Sequence, residues 1–265
     1  MSYGVAASLI WRASPLVSRD SLHRAQYGGR TLLGWLSSIV PLPSKTKLDQ
    51  LGDRLRRGEF TDDDLRLLDA FRRSFAAGYE EVLAIIKTNM SLEPTGRPAK
   101  STTSIIEKLQ RETIRLTQIQ DIAGCRLLVS DIASQEETIG LLGQCRTRST
   151  VVDRRSAPSN GYRAVHVVAT ADGKPIEIQI RTALQHLWAE FSEKMSDIVD
   201  PSIKYGGGPE DVKALLTEYS ELVQDVEALE VGSRPTDQER LADLRQQIRE
   251  LLEREIIDAQ TRSRR

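Results

Sequence analysis

Pro175-Ile176-Glu177-Ile178-Gln179-Ile180-Arg181-Thr182 alternates without a break. Ile176, Ile178 and Ile180 fall on one side and Glu177, Gln179 and Arg181 on the other, the period-two pattern of a strand with one core face. The polar side sets an acid, an amide and a guanidinium in a row. A carboxylate suits Mg²⁺, an amide a sugar or base, and a cation a phosphate. By itself, the same alternation also describes the solvent side of an antiparallel sheet.

Outward from this strand, Asp172-Gly173 is a hairpin signal joining it to a β-like run over Tyr162 to Ala171. Further runs at Gly124 to Val129 and Thr150 to Arg155 flank a crossover helix expected over Ser134 to Cys145. The centre therefore reads as an α+β fold, a mixed central sheet of about five strands flanked by helices. Gly96 to Pro98 marks a turn before a helix over Ser101 to Arg111. Ser44 to Arg57 and Thr61 to Asn89 read as two N-terminal helices, the second opened by Thr61 and an Asp-rich first turn. Helical patterns return at Ala183 to Met195, Asp211 to Val231 and Thr236 to Ile257, whose leucine stripes suit packing on each other or on a second subunit. The expected organisation is an irregular arm over 1–43, helices over 44–90, a core over 91–200 and helical additions over 201–265. Lys204-Tyr205-Gly206-Gly207-Gly208 reads as a linker, or as a lid over the core.

Thirty-seven Lys and Arg against 38 Asp and Glu give a net charge of −1, so any anion site must be built locally. Two cysteines, Cys125 and Cys145, and three histidines argue against a zinc site or a disulfide framework and fit a reducing cytoplasm. The apolar stretch Thr31 to Val40 is broken by Gly34 and two serines and is too short to span a bilayer, so neither membrane insertion nor secretion is expected.

Local cations do occur. Lys100, Ser104, Lys108, Arg111 and Arg115 recur every three or four residues, a ridge suited to a triphosphate, with Arg97 just before it. A solvated basic helix face gives the same pattern. Asp121 opens the apolar strand that follows, placing a carboxylate at a strand mouth. Tyr162, Ala164 and His166 share one strand face just after the turn-forming Ser159-Asn160-Gly161. Tyr162 could stack on a base or pack in the core; His166 could bind a ligand or sit satisfied in the sheet.

Four segments together resemble the synthetase domain of the RelA/SpoT alarmone enzymes, closest in size to the small single-domain synthetases. They are Gly96-Arg97-Pro98-Ala99-Lys100 with Ser104 and Lys108; Asp121-Ile122-Ala123-Gly124-Cys125-Arg126; Asn160-Gly161-Tyr162-Arg163-Ala164-Val165-His166; and Glu177 to Thr182 with His186. The resemblance spans roughly Gly96 to Glu193 and implies a nucleotidyltransferase-like fold. It departs from the family by one extra residue between Arg97 and Lys100. It also has Ala157-Pro158-Ser159 where family members often carry a lysine. The family's hydrolase domain is not recognisable.

The resemblance implies a pyrophosphokinase that moves pyrophosphate from ATP to the 3′-hydroxyl of GTP or GDP, with Mg²⁺ held by Asp121 and Glu177. Arg97, Lys100, Ser104, Lys108 and Arg126 would bind ATP. Glu177 would act as base, with Gln179 and His166 orienting the acceptor. Asn160, Tyr162, Arg163, Arg154, Arg155, Arg181 and His186 would hold that acceptor. A toxic branch of the family, which pyrophosphorylates the 3′-terminal adenosine of tRNA, is the alternative. The missing loop lysine and the segment from Ser44-Lys45 to Phe75, which looks like the N-terminal helices of toxic members, favour it. An antitoxin would then be a partner, and a homo-oligomer is a further expectation. A non-catalytic nucleotide-binding protein of the same fold would lack Asp121 or Glu177, and both are present.

Overall fold

The computed structural model describes residues 43–145, 148–232 and 237–263; the arm expected over 1–43 and the apolar stretch Thr31 to Val40 lie almost wholly outside them. Helix α1 (Lys45–Arg57) starts at Ser44, whose hydroxyl accepts from Lys47 N, and stops at Gly58, whose φ of 73° lets its N–H reach back to Arg54 and Leu55. Thr61 and Asp64 form a reciprocal cap at the start of α2 (Asp62–Arg73). The single helix expected from Thr61 to Asn89 is two: the chain turns at Ser74 and Phe75 before α3 (Ala76–Met90). Ser74 causes the break locally, its hydroxyl bonding to Phe71 O at 2.6 Å in competition with the helix ladder.

Among the described residues five strands form one sheet in the order β1-β2-β5-β4-β3. They are β1 (Thr95–Arg97), β2 (Ala123–Val129), β3 (Ser149–Asp153), β4 (Val165–Ala171) and β5 (Lys174–Thr182). β5 is central, parallel to β2 and antiparallel to β4, so the sheet is mixed. The expected turn at Gly96 to Pro98 is instead the edge strand β1, paired with β2; Gly96 permits this because a Cβ there would lie 2.6 Å from Cys125 Cα. Asp172 and Gly173 take φ of 46° and 67°, the left-handed pair that a two-residue hairpin needs. β4 starts at Val165 rather than Tyr162, because Asn160 and Gly161 also take positive φ and hold Tyr162 in a turn closed by Tyr162 N to Ser159 O.

Helix α4 (Thr102–Arg111) is capped by Ser101 and ends at Glu112, which is extended; Arg115 therefore lies beyond the helix and off its basic face. α5 (Ile132–Gln144) crosses over between β2 and β3, capped by Asp131. β5 runs directly into α6 (Ala183–Ile198) through a reciprocal cap of Thr182 and Gln185. After a 3₁₀ turn at Pro201–Tyr205, which takes up the first part of the expected linker, come α7 (Glu210–Gly232) and α8 (Gln238–Ser263).

Two cores result. Ile176, Ile178 and Ile180 are 1 % exposed or less and pack with residues of α1 to α5, including Leu51, Phe71, Ile86 and Leu109. A second cluster, with Trp188, Phe191, Val223 and Leu252, holds α6, α7 and α8 together. No helix of the described residues is long and apolar enough to cross a membrane.

Candidate active site

Register decides which side chains meet. Arg97 opposes Gly124 and Thr95 opposes Arg126 across β1 and β2; Gly124 opposes Glu177 and Arg126 opposes Gln179 across β2 and β5; His166 opposes Gln179 across β4 and β5. Opposed residues share a face, so Arg97, Arg126, Glu177, Gln179 and His166 lie on the side away from the three isoleucines. Gly124 leaves room there: a Cβ on it would meet Glu177 O at 2.6 Å and Glu177 Cβ at 3.3 Å.

A cleft of about 540 Å³ opens over this face, lined by Thr95, Gly96, Arg97, Lys100, Asp121, Gly124, Cys125, Arg126, Glu177, Gln179, Arg181 and Glu193. The polar side of β5 is thus the floor of a cleft rather than a solvated surface. Asp121, just before β2, receives Lys100 Nζ on Oδ2 at 2.7 Å and Lys108 Nζ on Oδ1 at 2.9 Å. Burial pushes the Asp121 carboxyl up, but the bonds and charges of the two lysines outweigh it and hold the group below the usual range. Glu177 behaves alike: burial pushes it up, His166 and Gln179 pull it down further, and the charge of Asp121 opposes them. Both acids are therefore ionised at neutral pH, and Glu177 feels the charge of Asp121 in the same cleft.

Glu177 Oε1 lies 2.9 Å from His166 Nδ1, and Oε2 accepts from Gln179 Nε2 at 2.9 Å. His166 Nε2 is 2.9 Å from the Tyr162 hydroxyl, which also accepts from Arg181 Nη2 at 2.9 Å. Arg126 and Arg181 each keep a buried Nε with no partner, and the Arg126 guanidinium is pulled down by burial and then by Arg181. These are cations set against one another at the floor of the cleft, an arrangement that favours an incoming anion.

The other expected residues distribute unevenly. Ser104 accepts from the Ser101 hydroxyl at 2.8 Å on the α4 cap and does not line the cleft. His186, on α6, is held below its ordinary range mainly by burial, its Nδ1 unpartnered and its Nε2 3.5 Å from Glu190. Asn160 packs its amide where a Cβ on Gly206 would stand. Arg155 is tied to Asp153 at 2.6 Å and Glu136 at 2.7 Å. Arg163 is 7 % exposed and turned under α7, bonding Ser220, Gln224 and the carbonyl of Arg155. Arg154 bonds its N–H to Ala164 O beside β3. Arg155 and Arg163 thus engage internal partners, and neither lines the cleft. Thr95 and Glu193 line it without having been singled out; Glu193 follows His186 by seven residues on α6, a spacing that gives one helix face.

The donor set suits a hard divalent cation. Asp121 and Glu177 supply two carboxylates, and among the described residues no group of three or more His, Cys, Asp or Glu side chains converges. Mg²⁺ is commonly bound this way, through one or two carboxylates plus substrate phosphates rather than a complete protein cage.

The family model described as the region found in RelA / SpoT proteins matches residues 96–196. The uncharacterized protein Rv1366 of Mycobacterium tuberculosis is 38% identical over 141 residues, 49% of this chain and 51% of that protein. This chain thus spans about half the length of that relative. The probable GTP diphosphokinase RSH3, chloroplastic, of Arabidopsis thaliana is 32% identical over 131 residues, 47% of this chain and 18% of that protein. Among solved structures, the small alarmone synthetase 2 from Bacillus subtilis is 26% identical with a TM-score of 0.47, over 58% of this chain and 92% of that one. The stretch from 96 to 196 that the family model matches carries the whole lining of the cleft but Thr95.

Proposed function

We propose that this chain is a pyrophosphokinase that moves the β,γ-pyrophosphate of ATP onto the 3′-hydroxyl of GTP or GDP, making (p)ppGpp and carrying out synthesis only. One observation carries the reading: Asp121 and Glu177, both ionised, line one cleft with Arg97, Lys100, Arg126 and Arg181, while Lys108 reaches in to Asp121.

Asp121 and Glu177 are the residues that would hold Mg²⁺, which when bound neutralises charge on the phosphate oxygens. Lys100, Lys108, Arg97 and Arg126 spread the remaining positive charge along the triphosphate, and their effect is greatest on charge developing during transfer. Glu177 takes the proton of the 3′-hydroxyl as that oxygen bonds to the β-phosphorus; the bond from this phosphorus to the α,β-bridging oxygen breaks, and AMP leaves with that oxygen. Gln179 and His166 fix the base from its two sides, and the Tyr162 ring is the surface for the acceptor's nucleobase.

A second reading takes the 3′-terminal adenosine of tRNA as acceptor, with an antitoxin as partner. It is favoured by Ala157-Pro158-Ser159 and by the commitment of Arg155 and Arg163 to internal partners, which leaves few cations for the 5′-phosphates of a free nucleotide. Purified protein incubated with γ-labelled ATP and either GDP or deacylated tRNA tests both. Label on GDP with an equal amount of AMP supports the first, label on tRNA alone supports the second, and no transfer to either removes both.

A further inference from the structure

Five side chains close a ring of hydrogen bonds, of which Glu177, Gln179 and Arg181 line the cleft, and donor chemistry fixes the direction of every bond but the one between Tyr162 and His166. Arg181 Nη2 carries two hydrogens and has two acceptors, the Tyr162 hydroxyl at 2.9 Å and Gln179 Oε1 at 3.0 Å. A guanidinium can only donate and an ionised carboxylate can only accept. One arm therefore runs from Arg181 through Gln179, whose Nε2 donates to Glu177 Oε2 at 2.9 Å. The other runs from Arg181 to the Tyr162 oxygen, on to His166 Nε2 with the Tyr162 hydroxyl taken as donor, and from His166 Nδ1–H to Glu177 Oε1, the last two at 2.9 Å each. In this ordering His166 donates from Nδ1 and accepts at Nε2. Aligned donors polarise one another, so both arms deliver part of the guanidinium's pull to the carboxylate without an ion pair between the two.

We propose that Arg181 and the Tyr162 hydroxyl are positioning residues. Through Gln179 and His166 they fix both oxygens of Glu177 and lock the tautomer of His166. Arg181 suits this role because it is 5 % exposed, its Nη2 is held by the ring, and among the described residues no carboxylate pairs with it. Without it, the Gln179 amide is free to reverse and the Tyr162 hydroxyl loses the donor that orients it. The inference rests on Glu177 acting as the base, and it assigns the Tyr162 hydroxyl a task separate from any stacking by its ring.

The test reads the imidazole nitrogens directly. The chain has three histidines, so ¹⁵N spectra at mildly alkaline pH are simple, and a His166→Gln variant identifies the resonances of interest. The wild-type protein is expected to show a protonated Nδ1 and a hydrogen-bonded, unprotonated Nε2. Tyr162→Phe, which keeps the ring and the volume, should move Nε2 toward the position of a free pyridine-type nitrogen. It should also lower kcat on the order of 10²-fold, with KM for ATP held within about twofold, as misplacement of a reacting group does. Arg181→Met should lower kcat in the same way, and Arg181→Lys, which keeps a donor, should restore part of it. An unprotonated Nδ1 in the wild type, or a Tyr162→Phe protein unchanged in both spectrum and kcat, would overturn the proposal. A protein that shows the expected spectra but transfers no pyrophosphate would keep the ring and overturn the function assigned to it.

Discussion

Lys100 and Asp121 are joined by a 2.7 Å ion pair between Nζ and Oδ2, with each side chain about four-fifths buried or more. Lys108 occupies the other carboxylate oxygen at 2.9 Å. The acid on one wall of the cleft is thus fully engaged by cations that a triphosphate would also attract.

A divalent cation should therefore bind poorly without nucleotide and well with it, since phosphate oxygens draw the lysines away from Asp121. Calorimetry with Mn²⁺, with and without a non-hydrolysable ATP analogue, is expected to show at least about a tenfold gain in affinity, equivalent to about 1.4 kcal/mol. Equal affinity in both conditions would contradict the exchange.

Gly124→Ala should damage the site more than the fold. Its Cβ would stand 2.6 Å from Glu177 O and 3.3 Å from Glu177 Cβ, so β5 must shift at Glu177. A loss on the order of 10²-fold in kcat/KM is expected, with far-UV circular dichroism unchanged.

Glu227 on α7 accepts from Thr182 Oγ1 and Gln185 Nε2, both at 2.8 Å, and burial is the main reason that its carboxyl is pushed up to about 7. Arg163 and Glu230 are the charged groups near it. Because the folded pKa lies above the unfolded one, the stabilisation is complete below the unfolded value and is lost as pH rises through about 7. Glu227→Gln should accordingly stabilise the fold by about 3 kcal/mol in mildly alkaline buffer, seen as a higher melting temperature, and not near pH 4.5. Thermal melts across that range check the sign.

Arg163→Ala should loosen α7 rather than weaken acceptor binding. It removes the donors to Ser220 Oγ and Gln224 Oε1, a change that costs on the order of 1–3 kcal/mol for the lost charged hydrogen bonds. A lower melting temperature with an unchanged KM for the acceptor is expected.

The floor of the cleft was legible because β5 alternates so regularly that the isoleucines identify the core face and leave Glu177, Gln179 and Arg181 on the other. The parallel partner was less so: only the pairing of β2 with β5 puts Gly124 opposite Glu177, and no local pattern specifies which strand lies beside which. β1 was invisible because three residues with a central glycine carry no periodicity, and its pairing depends on the close approach that Gly96 permits. The internal partners of Arg155 and Arg163 were hidden for a related reason. A cation near a binding loop reads the same whether it meets a ligand or a buried neighbour, and the neighbours, Glu136, Ser220 and Gln224, come from helices distant in sequence. The break at Ser74 was in principle readable from the serine itself, although the apolar spacing runs through it.

The most direct test is transfer of label from γ-labelled ATP to GDP and to deacylated tRNA by the wild-type chain beside Asp121→Asn and Glu177→Gln. Labelled acceptor matched by AMP is expected from the wild type, with either carboxylate variant reduced on the order of 10²-fold or more. Absence of transfer to both acceptors, or a Glu177→Gln protein that transfers at the wild-type rate, would contradict the account.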